Sequence, residues 1–447
     1  MTEPGGGGER SNPGGHRARP GVKPWHAPRA AGPVHATVSL PGSKSITARA
    51  LILAAVSVGS STLRHPLAAR DTELMAAGLR AMGTHISTVD NDLWLVRPRP
   101  LSGPAHVDVG LAGTVMRFLP PVAALAAGPV SFDGDPRARQ RPLAPLTSAL
   151  RQLGVVVEDD GRGTLPITVR GAGQVRGGRV AIDASASSQL VSGLLLAAPD
   201  FDEGLVLRHE GSLLPSAPHI RLTVSMLRAV GAAIDDSVPN TWVVEPGRIA
   251  GRAWTIEPDL SNAAPFLAAA LVTAGSVTVT DWPARTNQPG DALKLLLTAM
   301  GAQVRMSARG LTVTGGERIR GIEADLSAVS ELVPVLAALC ALADSPSTLR
   351  GIGHIRGHET DRIAALAREL SGLGAGVAET ADGLAITPRP LRGGVFTTYD
   401  DHRLATAAAV VGLAVDGVVL SDVACTTKTL PTFTALWSKM LTGGGRR

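Results

Sequence analysis

The chain is poor in cysteine, in aromatic residues and in long apolar runs. Only two of its 447 residues are cysteines, Cys340 inside the apolar run from Leu332 to Ala343 and Cys425 in a polar Cys-Thr-Thr-Lys stretch. Two cysteines in such unlike settings build neither a disulfide framework nor a zinc ribbon, and a reducing compartment suits them. Aromatic residues make up 3% of the chain, with a single tyrosine, Tyr399, too few for the stacking platforms that nucleic-acid binding needs. The longest apolar runs fall short of the ~18 residues of a membrane-spanning helix. The N-terminus lacks the basic-then-apolar pattern of a secretory signal. A cytoplasmic protein with neither nucleic-acid nor membrane partners is expected.

The net charge of +5 sits mostly at the ends of the chain, for residues 1–33 carry a net +3 and Arg446 with Arg447 adds +2. The body is therefore near neutral. Residues 1–33 are mostly Gly, Pro and Arg with little to bury, which predicts a disordered extension and ordered chain from about Ala36. Lysine is also scarce, with Lys23, Lys44, Lys294, Lys428 and Lys439 against 38 arginines. Where arginine is so strongly preferred, a lysine retained in a helix-start motif suits a site that wants a compact ammonium. Lys44 and Lys428 are the two in such motifs.

What is present is a repeat. Helical segments ending in an apolar residue and glycine recur at Gly83, Gly154, Gly231, Gly301, Gly374 and Gly443, at spacings of 71, 77, 70, 73 and 69 residues. Each unit opens with a small-residue helix such as SITARALILAAVSVG or SNAAPFLAAALVTAG. A β-branched stretch follows, then the glycine-terminated helix and further strands. Six such units predict an α/β or α+β protein.

Polar clusters sit at the helix starts: Ser43-Lys44-Ser45, Gly113-Thr114, Ser187-Ser188-Gln189, Ser330-Glu331, His358-Glu359-Thr360-Asp361-Arg362, Asp401-His402-Arg403 and Thr427-Lys428-Thr429. Ser, Thr and Asp there are ordinary N-caps. Lys and Arg are different, because a cation at a helix N-terminus opposes the helix dipole, so its presence calls for an anion.

The string from Pro41 to Leu51 (PGSKSITARAL) resembles the signature of the 5-enolpyruvylshikimate-3-phosphate synthase family. The likeness continues in order through Leu111–Arg117, Asp135–Leu143, Ser187–Gln189, His358–Arg362, Tyr399–Arg403 and Cys425–Thr429, and covers the chain after the tail. It implies an inside-out α/β fold of two similar domains, each of three βαβαββ units, with helix N-termini directed into the cleft between them. Residues 42–257 would form the domain that mainly binds shikimate 3-phosphate. Residues 36–41 with 258–447 would form the one that contributes phosphoenolpyruvate contacts and acid/base groups.

The resemblance also implies the reaction, transfer of the enolpyruvyl group of phosphoenolpyruvate to the 5-hydroxyl of shikimate 3-phosphate through a tetrahedral intermediate, by a monomer. No cofactor and no metal is implied, and His354 with His358 lacks the glutamate order of a zinc-binding helix. Catalytic roles fall to Lys44, Glu331 and Glu359. Shikimate 3-phosphate would meet Lys44, Ser45, Arg49, Ser187, Ser188, Gln189, Ser216, Glu331 and His358. Phosphoenolpyruvate would meet Lys44, Gly113, Gln189, Arg141, Arg362, Arg403 and Lys428. Arg117 is a further candidate cation, with a surface ion pair as its other reading.

Six positions depart from the family pattern: Leu111, Phe118, His219, Glu331, His354 and His358. His358 stands where a lysine is common, which predicts that shikimate 3-phosphate binds more weakly as pH rises through the histidine range. Family members are the target of glyphosate, but these residues do not decide sensitivity to it. The related UDP-N-acetylglucosamine 1-carboxyvinyltransferases are a poorer match, since they carry Lys-Asn where this chain has Lys44-Ser45 and a cysteine in the loop matching Asp135–Arg141. A non-catalytic protein of the same fold is disfavoured by the intact Glu359 and cation set.

Overall fold

The computed structural model describes residues 23–90 and 92–443. Its helices, in chain order, are α1 (Lys44–Ala55), α2 (Arg70–Ala81), α3 (Gly113–Ala123), α4 (Ala144–Gln152), α5 (Gln189–Ala197), α6 (Ala217–Ala229), α7 (Leu260–Val272), α8 (Leu293–Ala299), α9 (Val333–Ala341), α10 (Arg362–Gly372), α11 (His402–Gly412) and α12 (Phe433–Thr442). No helix among the described residues is long and apolar enough to cross a membrane.

Each consecutive helix pair belongs to one small sheet. In the second unit, strand Ala105–Asp108 leads through α3 to the parallel strand Ala127–Asp133, with Ala105 opposite Val130. A helical crossover is what a parallel pair requires. After α4 the chain adds Val156–Glu158 and Ile167–Ala172, the latter antiparallel to Ala127–Asp133. The units built on Gly178–Ile182 and Glu323–Asp325 repeat this order. The fold is thus the expected α/β arrangement of six repeated units.

Two units borrow their first strand from far along the chain. Ala253–Thr255 pairs with Ser61–Arg64, and His35–Val38 pairs with Ser276–Thr280, both in parallel. Borrowing makes the chain cross between two hydrophobic cores twice, one core running from Ile46 to Ile256 and the other joining Ala27–Leu40 to Leu260–Met440. The crossings lie side by side: the Ser43 amide donates to the Glu257 carbonyl at 2.7 Å, and the Asp259 amide to the Pro41 carbonyl at 3.0 Å.

The sixth unit corrects the expected tail. Residues 1–22 and 444–447, and with them Arg446 and Arg447, lie outside the described residues. Order nevertheless begins before Ala36, because Trp25–His26 pairs antiparallel with Val419 and Leu420. Among the described residues this unit has only Gly394–Phe396 and Val418–Leu420 of its own, and Trp25–His26 covers the otherwise unpaired side of Val418–Leu420. The Trp25 ring sits edge-on to Phe433 at 6.3 Å, and the buried Ala27 donates its amide to the Val418 carbonyl at 2.9 Å. One tryptophan inside a Gly/Pro/Arg-rich stretch gives no periodicity from which to read that strand.

The first helix of each unit lies inside its half. Every residue of α3 is buried, including Pro120 and Pro121. Pro121 has no N–H to give the Arg117 carbonyl, and that carbonyl instead faces Gly193 on α5, where a Cβ would overlap it. Glycine lets α3 and α5 approach closely enough to bring Arg117 beside Gln189. Gly193→Ala is expected to cost about 1–3 kcal/mol, as overpacking does, and to lower the urea midpoint; an unchanged midpoint contradicts this packing.

Candidate active site

Ser43 caps α1 by accepting the Ile46 amide. The Lys44 amide goes elsewhere, donating to Asp259 Oδ2 at 3.0 Å, while Asp259 Oδ1 accepts the Asn262 amide at 2.9 Å. One buried carboxylate therefore caps α1 from one half and α7 from the other. The Lys44 ammonium lies 3.3 Å from Asp71 Oδ2 at the start of α2. Burial disfavours its charge, but Asp71, Glu331 and Glu359 together raise its pKa above the ordinary value. Lys44 is thereby favoured as a cation.

Three more cations in this half have no carboxylate within ion-pair distance among the described residues. Arg49 donates to Thr223 Oγ1 (2.7 Å), the Ser45 carbonyl (3.0 Å), the His219 carbonyl (3.1 Å) and Ser192 Oγ (3.4 Å), and lies over the Phe118 ring at 5.0 Å. All its partners are neutral. Arg117 Nη1 reaches Gln189 Oε1 at 3.0 Å and Arg141 Nη1 the Leu111 carbonyl at 3.4 Å, while the Nε of each is buried without a partner. Burial pulls Arg49 down to about 9, lowers Arg141, and together with the neighbouring Arg141 lowers Arg117 further. Gly113 lies between them, for a Cβ there would come within 2.9 Å of Arg117 Nη1, 3.0 Å of Gln189 Oε1 and 3.1 Å of Arg141 Nη2. The surface ion pair considered for Arg117 is excluded by its burial.

In the other half the cations are paired. Arg362, fully buried at the start of α10, holds Asp401 through Nε (2.8 Å) and Nη2 (3.2 Å), and also meets Glu359 (3.1 Å), Glu331 (3.4 Å) and His358 Nδ1 (2.9 Å). Burial opposes its charge, and Asp401, Glu331 and Glu359 more than reverse that. Arg403 Nε lies 3.2 Å from Glu331 Oε2, and its Nη1 donates to Asn262 at 3.0 Å. Lys428 Nζ lies 2.5 Å from Glu359 Oε1 and donates to the Leu111 carbonyl of the first half at 3.3 Å. Burial would raise both glutamates, yet Lys428, Arg362 and Arg141 hold Glu359, and Arg362 with Arg403 holds Glu331, well below the usual carboxylate range.

The halves touch across the cleft. The Ser216 amide donates to the Ser327 carbonyl at 2.8 Å, the Ser216 and Ser330 hydroxyls lie 3.2 Å apart, and Arg137 Nε donates to the Glu359 carbonyl at 3.1 Å.

Lys44, Ser45, Arg49, Gln189, Glu331 and Arg403 line one cavity with Thr114, Phe118 and His219. Gly113, Arg141, His358, Glu359, Arg362 and Lys428 form the adjoining polar cluster. Ser187, Ser188 and Ser216 do not line the cavity; the Ser187 hydroxyl accepts the Gln189 amide at 3.3 Å, and Ser216 is engaged across the cleft. Lys428 stands at the end of a short 3-10 helix, Ala424–Lys428, rather than at the start of α12. Asp71, Asp259 and Asp401 were not singled out as site residues in the sequence. Their signal was an acid at or beside a helix start. Among the described residues no group of three or more His, Cys, Asp or Glu side chains is placed to hold a metal ion.

The histidine expectation is corrected. Burial and the adjacent Arg362 push His358 down to about 3, and burial with Arg49 does the same to His219. Both rings are neutral across the ordinary histidine range. His358 Nδ1 faces an arginine that can only donate, so the ring accepts there and its Nε2 carries the proton.

The chain matches the family model described as EPSP synthase (3-phosphoshikimate 1-carboxyvinyltransferase) over residues 28–437. Its fold is similar to a solved EPSP synthase from Acinetobacter baumannii, with 24% identity, 93% of this chain and 97% of that chain covered, and a TM-score of 0.77. It is also similar to the enolpyruvyl transferase NikO from Streptomyces tendae, with 19% identity, 94% and 98% covered, and a TM-score of 0.73.

A pH dependence of stability follows from the buried rings. His219 and His358 near 3 and His354 near 4 bind fewer protons folded than unfolded, where 6.5 applies. Their contribution is complete above about pH 6.5 and is lost as pH falls toward those folded values. The denaturation midpoint should fall between about pH 6.5 and 4.5, and His358→Asn or His219→Asn should flatten that limb. An unchanged slope in both variants contradicts the neutral, buried state.

Proposed function

Because the chain belongs to the EPSP synthase (3-phosphoshikimate 1-carboxyvinyltransferase) family, we propose that its two halves divide the work of moving the enolpyruvyl group of phosphoenolpyruvate onto shikimate 3-phosphate. The chain is a transferase of aromatic amino acid biosynthesis. Its two substrates carry two phosphates and two carboxylates between them. The observation that carries the residue assignment is the set of three buried guanidiniums, Arg49, Arg117 and Arg141, with no carboxylate within ion-pair distance among the described residues. Buried charges of one sign are costly unless ligands of the other sign complete them.

Residues 42–257 hold mainly shikimate 3-phosphate. Ser45 and Arg49, one turn apart on α1, take its carboxylate. Ser187, Ser188 and Ser216 take its phosphate once the Ser216 contacts across the cleft give way to substrate. Residues 36–41 and 258–447 bring Arg362, Arg403 and Lys428 to phosphoenolpyruvate, opposite Gly113, Gln189 and Arg141.

Glu331 accepts the 5-hydroxyl proton as that oxygen attacks C2 of phosphoenolpyruvate. The Lys428 ammonium, 2.5 Å away, gives its proton through Glu359 to C3, which leaves Glu359 ionised and Lys428 neutral. In the tetrahedral intermediate the C2–O bond to phosphate then breaks. Glu359 takes a C3 proton back and returns it to Lys428 as the double bond re-forms, Glu331 passes the hydroxyl proton to the departing phosphate, and Lys44 and Lys428 stabilise that anion. The low pKa of Glu359 fits it as the base of this second step, and the adjacent ammonium lets it act as the acid of the first.

Purified protein should release phosphate from phosphoenolpyruvate with shikimate 3-phosphate and none with UDP-N-acetylglucosamine; the reverse pattern overturns the substrate assignment. Glu359→Gln should lower kcat by about 10²–10⁴ and suppress deuterium incorporation at C3 from heavy water. Retention of kcat within about tenfold would move the acid/base role elsewhere.

A further inference from the structure

The only tyrosine of the chain stands where the backbone is strained. Tyr399 and Asp400 follow one another in the left-handed region, with φ of 52° and 57°. A bulky L-residue adopts this conformation only when its surroundings enforce it. The turn ends on Asp401, whose fully buried carboxylate binds Arg362 through two nitrogens and accepts the Arg403 amide at 2.8 Å. Two of the cations assigned to phosphoenolpyruvate thus take their placement from this turn.

The force that holds it comes from α10. Glu369 accepts the Tyr399 hydroxyl at 2.6 Å on Oε1 and the Thr397 amide at 2.8 Å on Oε2. It lies seven residues beyond Arg362, two turns along the same helix face and about 10 Å along the axis. One helix therefore grips both ends of the turn, Arg362 at Asp401 and Glu369 at Thr397 and Tyr399. Between the grips, Ser421 Oγ accepts the Thr398 amide at 3.0 Å, and the Thr398 carbonyl accepts the Asp401 amide at 2.8 Å.

Glu369 is buried, and no lysine or arginine lies within ion-pair distance of it among the described residues. A buried carboxylate with neutral partners is an expensive way to fill space. Both its oxygens are spent on the turn. Burial and the bond to Glu369 push the Tyr399 phenol up to about 12 against the opposing effect of Arg368, which also meets the phenol, so it remains a donor at neutral pH.

We propose that Glu369 and Tyr399 form a clamp that sets the Arg362–Asp401–Arg403 geometry, and are positioning residues for enolpyruvyl transfer that act through Asp401. This rests on the assignment of those arginines to phosphoenolpyruvate. Tyr399→Phe removes only the hydroxyl, and should lower kcat/KM for phosphoenolpyruvate about tenfold while KM for shikimate 3-phosphate stays within about twofold. Glu369→Gln keeps an acceptor for the phenol but not for the Thr397 amide, and should fall about threefold or more. The double variant should be no worse than the poorer single, because the two residues act as one unit. A merely structural role would lower the unfolding midpoint and leave both KM values and kcat of the folded enzyme alone.

Either of two kinetic results overturns the clamp: a Tyr399→Phe enzyme within about twofold of wild type for phosphoenolpyruvate, or multiplying losses in the double variant. A readout independent of activity comes from the full chain labelled with 3-fluorotyrosine, which has one fluorine resonance. That resonance should shift in both Glu369→Gln and Asp401→Asn, and a signal unmoved in both overturns the clamp. If the wild-type enzyme releases no phosphate from its substrates, the functional reading falls, and the fluorine comparison still decides the clamp.

Discussion

Three guanidinium groups, Arg49, Arg117 and Arg141, are buried beside the cleft with only neutral partners, and much of the architecture serves to keep them there. Burying each costs on the order of several kcal/mol of desolvation, which the more distant Glu359 offsets only in part at Arg117 and Arg141. Two apolar cores offset that cost, together with inner helices packed too tightly to let the side chains swing out to water. Gly193 against the Arg117 carbonyl and Gly113 among the guanidiniums are the clearest points of that constraint. Positive charge is thereby held at the cleft, which under the proposed function is what the substrate anions complete.

Paired charges elsewhere set the limits of this design. Asp259, Asp361 and Asp401 each cap a helix of the second half, accepting the amides of Asn262, Ala364 and Arg403. The acids offset cations at the same termini, so Arg362 and Arg403 sit where the helix dipole would otherwise repel them. Asp259 reaches further and caps α1 of the other half beside Lys44. The crossing between halves and the placement of Lys44 are therefore one hydrogen-bonded structure.

The sixfold repeat was legible because glycine stops and small-residue helices recur at nearly constant intervals, and the polar helix starts marked where chemistry gathers. Other features depend on contacts distant in sequence. The strand Trp25–His26 forms by pairing with Val418–Leu420, near the other end of the chain, which no local pattern reveals. Two first strands arrive from elsewhere in the chain, and only that exchange explains why the crossings lie together. His358 looked like a titrating cation by residue type, but burial beside Arg362 decides its protonation. Arg117 and Arg362 look alike in sequence, yet one lacks a carboxylate partner and the other has three. Tyr399 was noticed as the sole tyrosine, while its partner Glu369 carried no sequence signal because it lies in the middle of a helix.

The most direct test of the account is the stability and activity of Arg117→Met. Replacing a buried guanidinium that has no carboxylate partner with an apolar side chain of similar length removes an unpaid desolvation cost. The substrate-free variant should unfold a few degrees higher than wild type, at about 1–4 kcal/mol greater stability, while kcat/KM falls by about a hundredfold or more. A lower unfolding temperature, or activity retained beside the substitution, would contradict the claim that this charge is held in readiness for substrate.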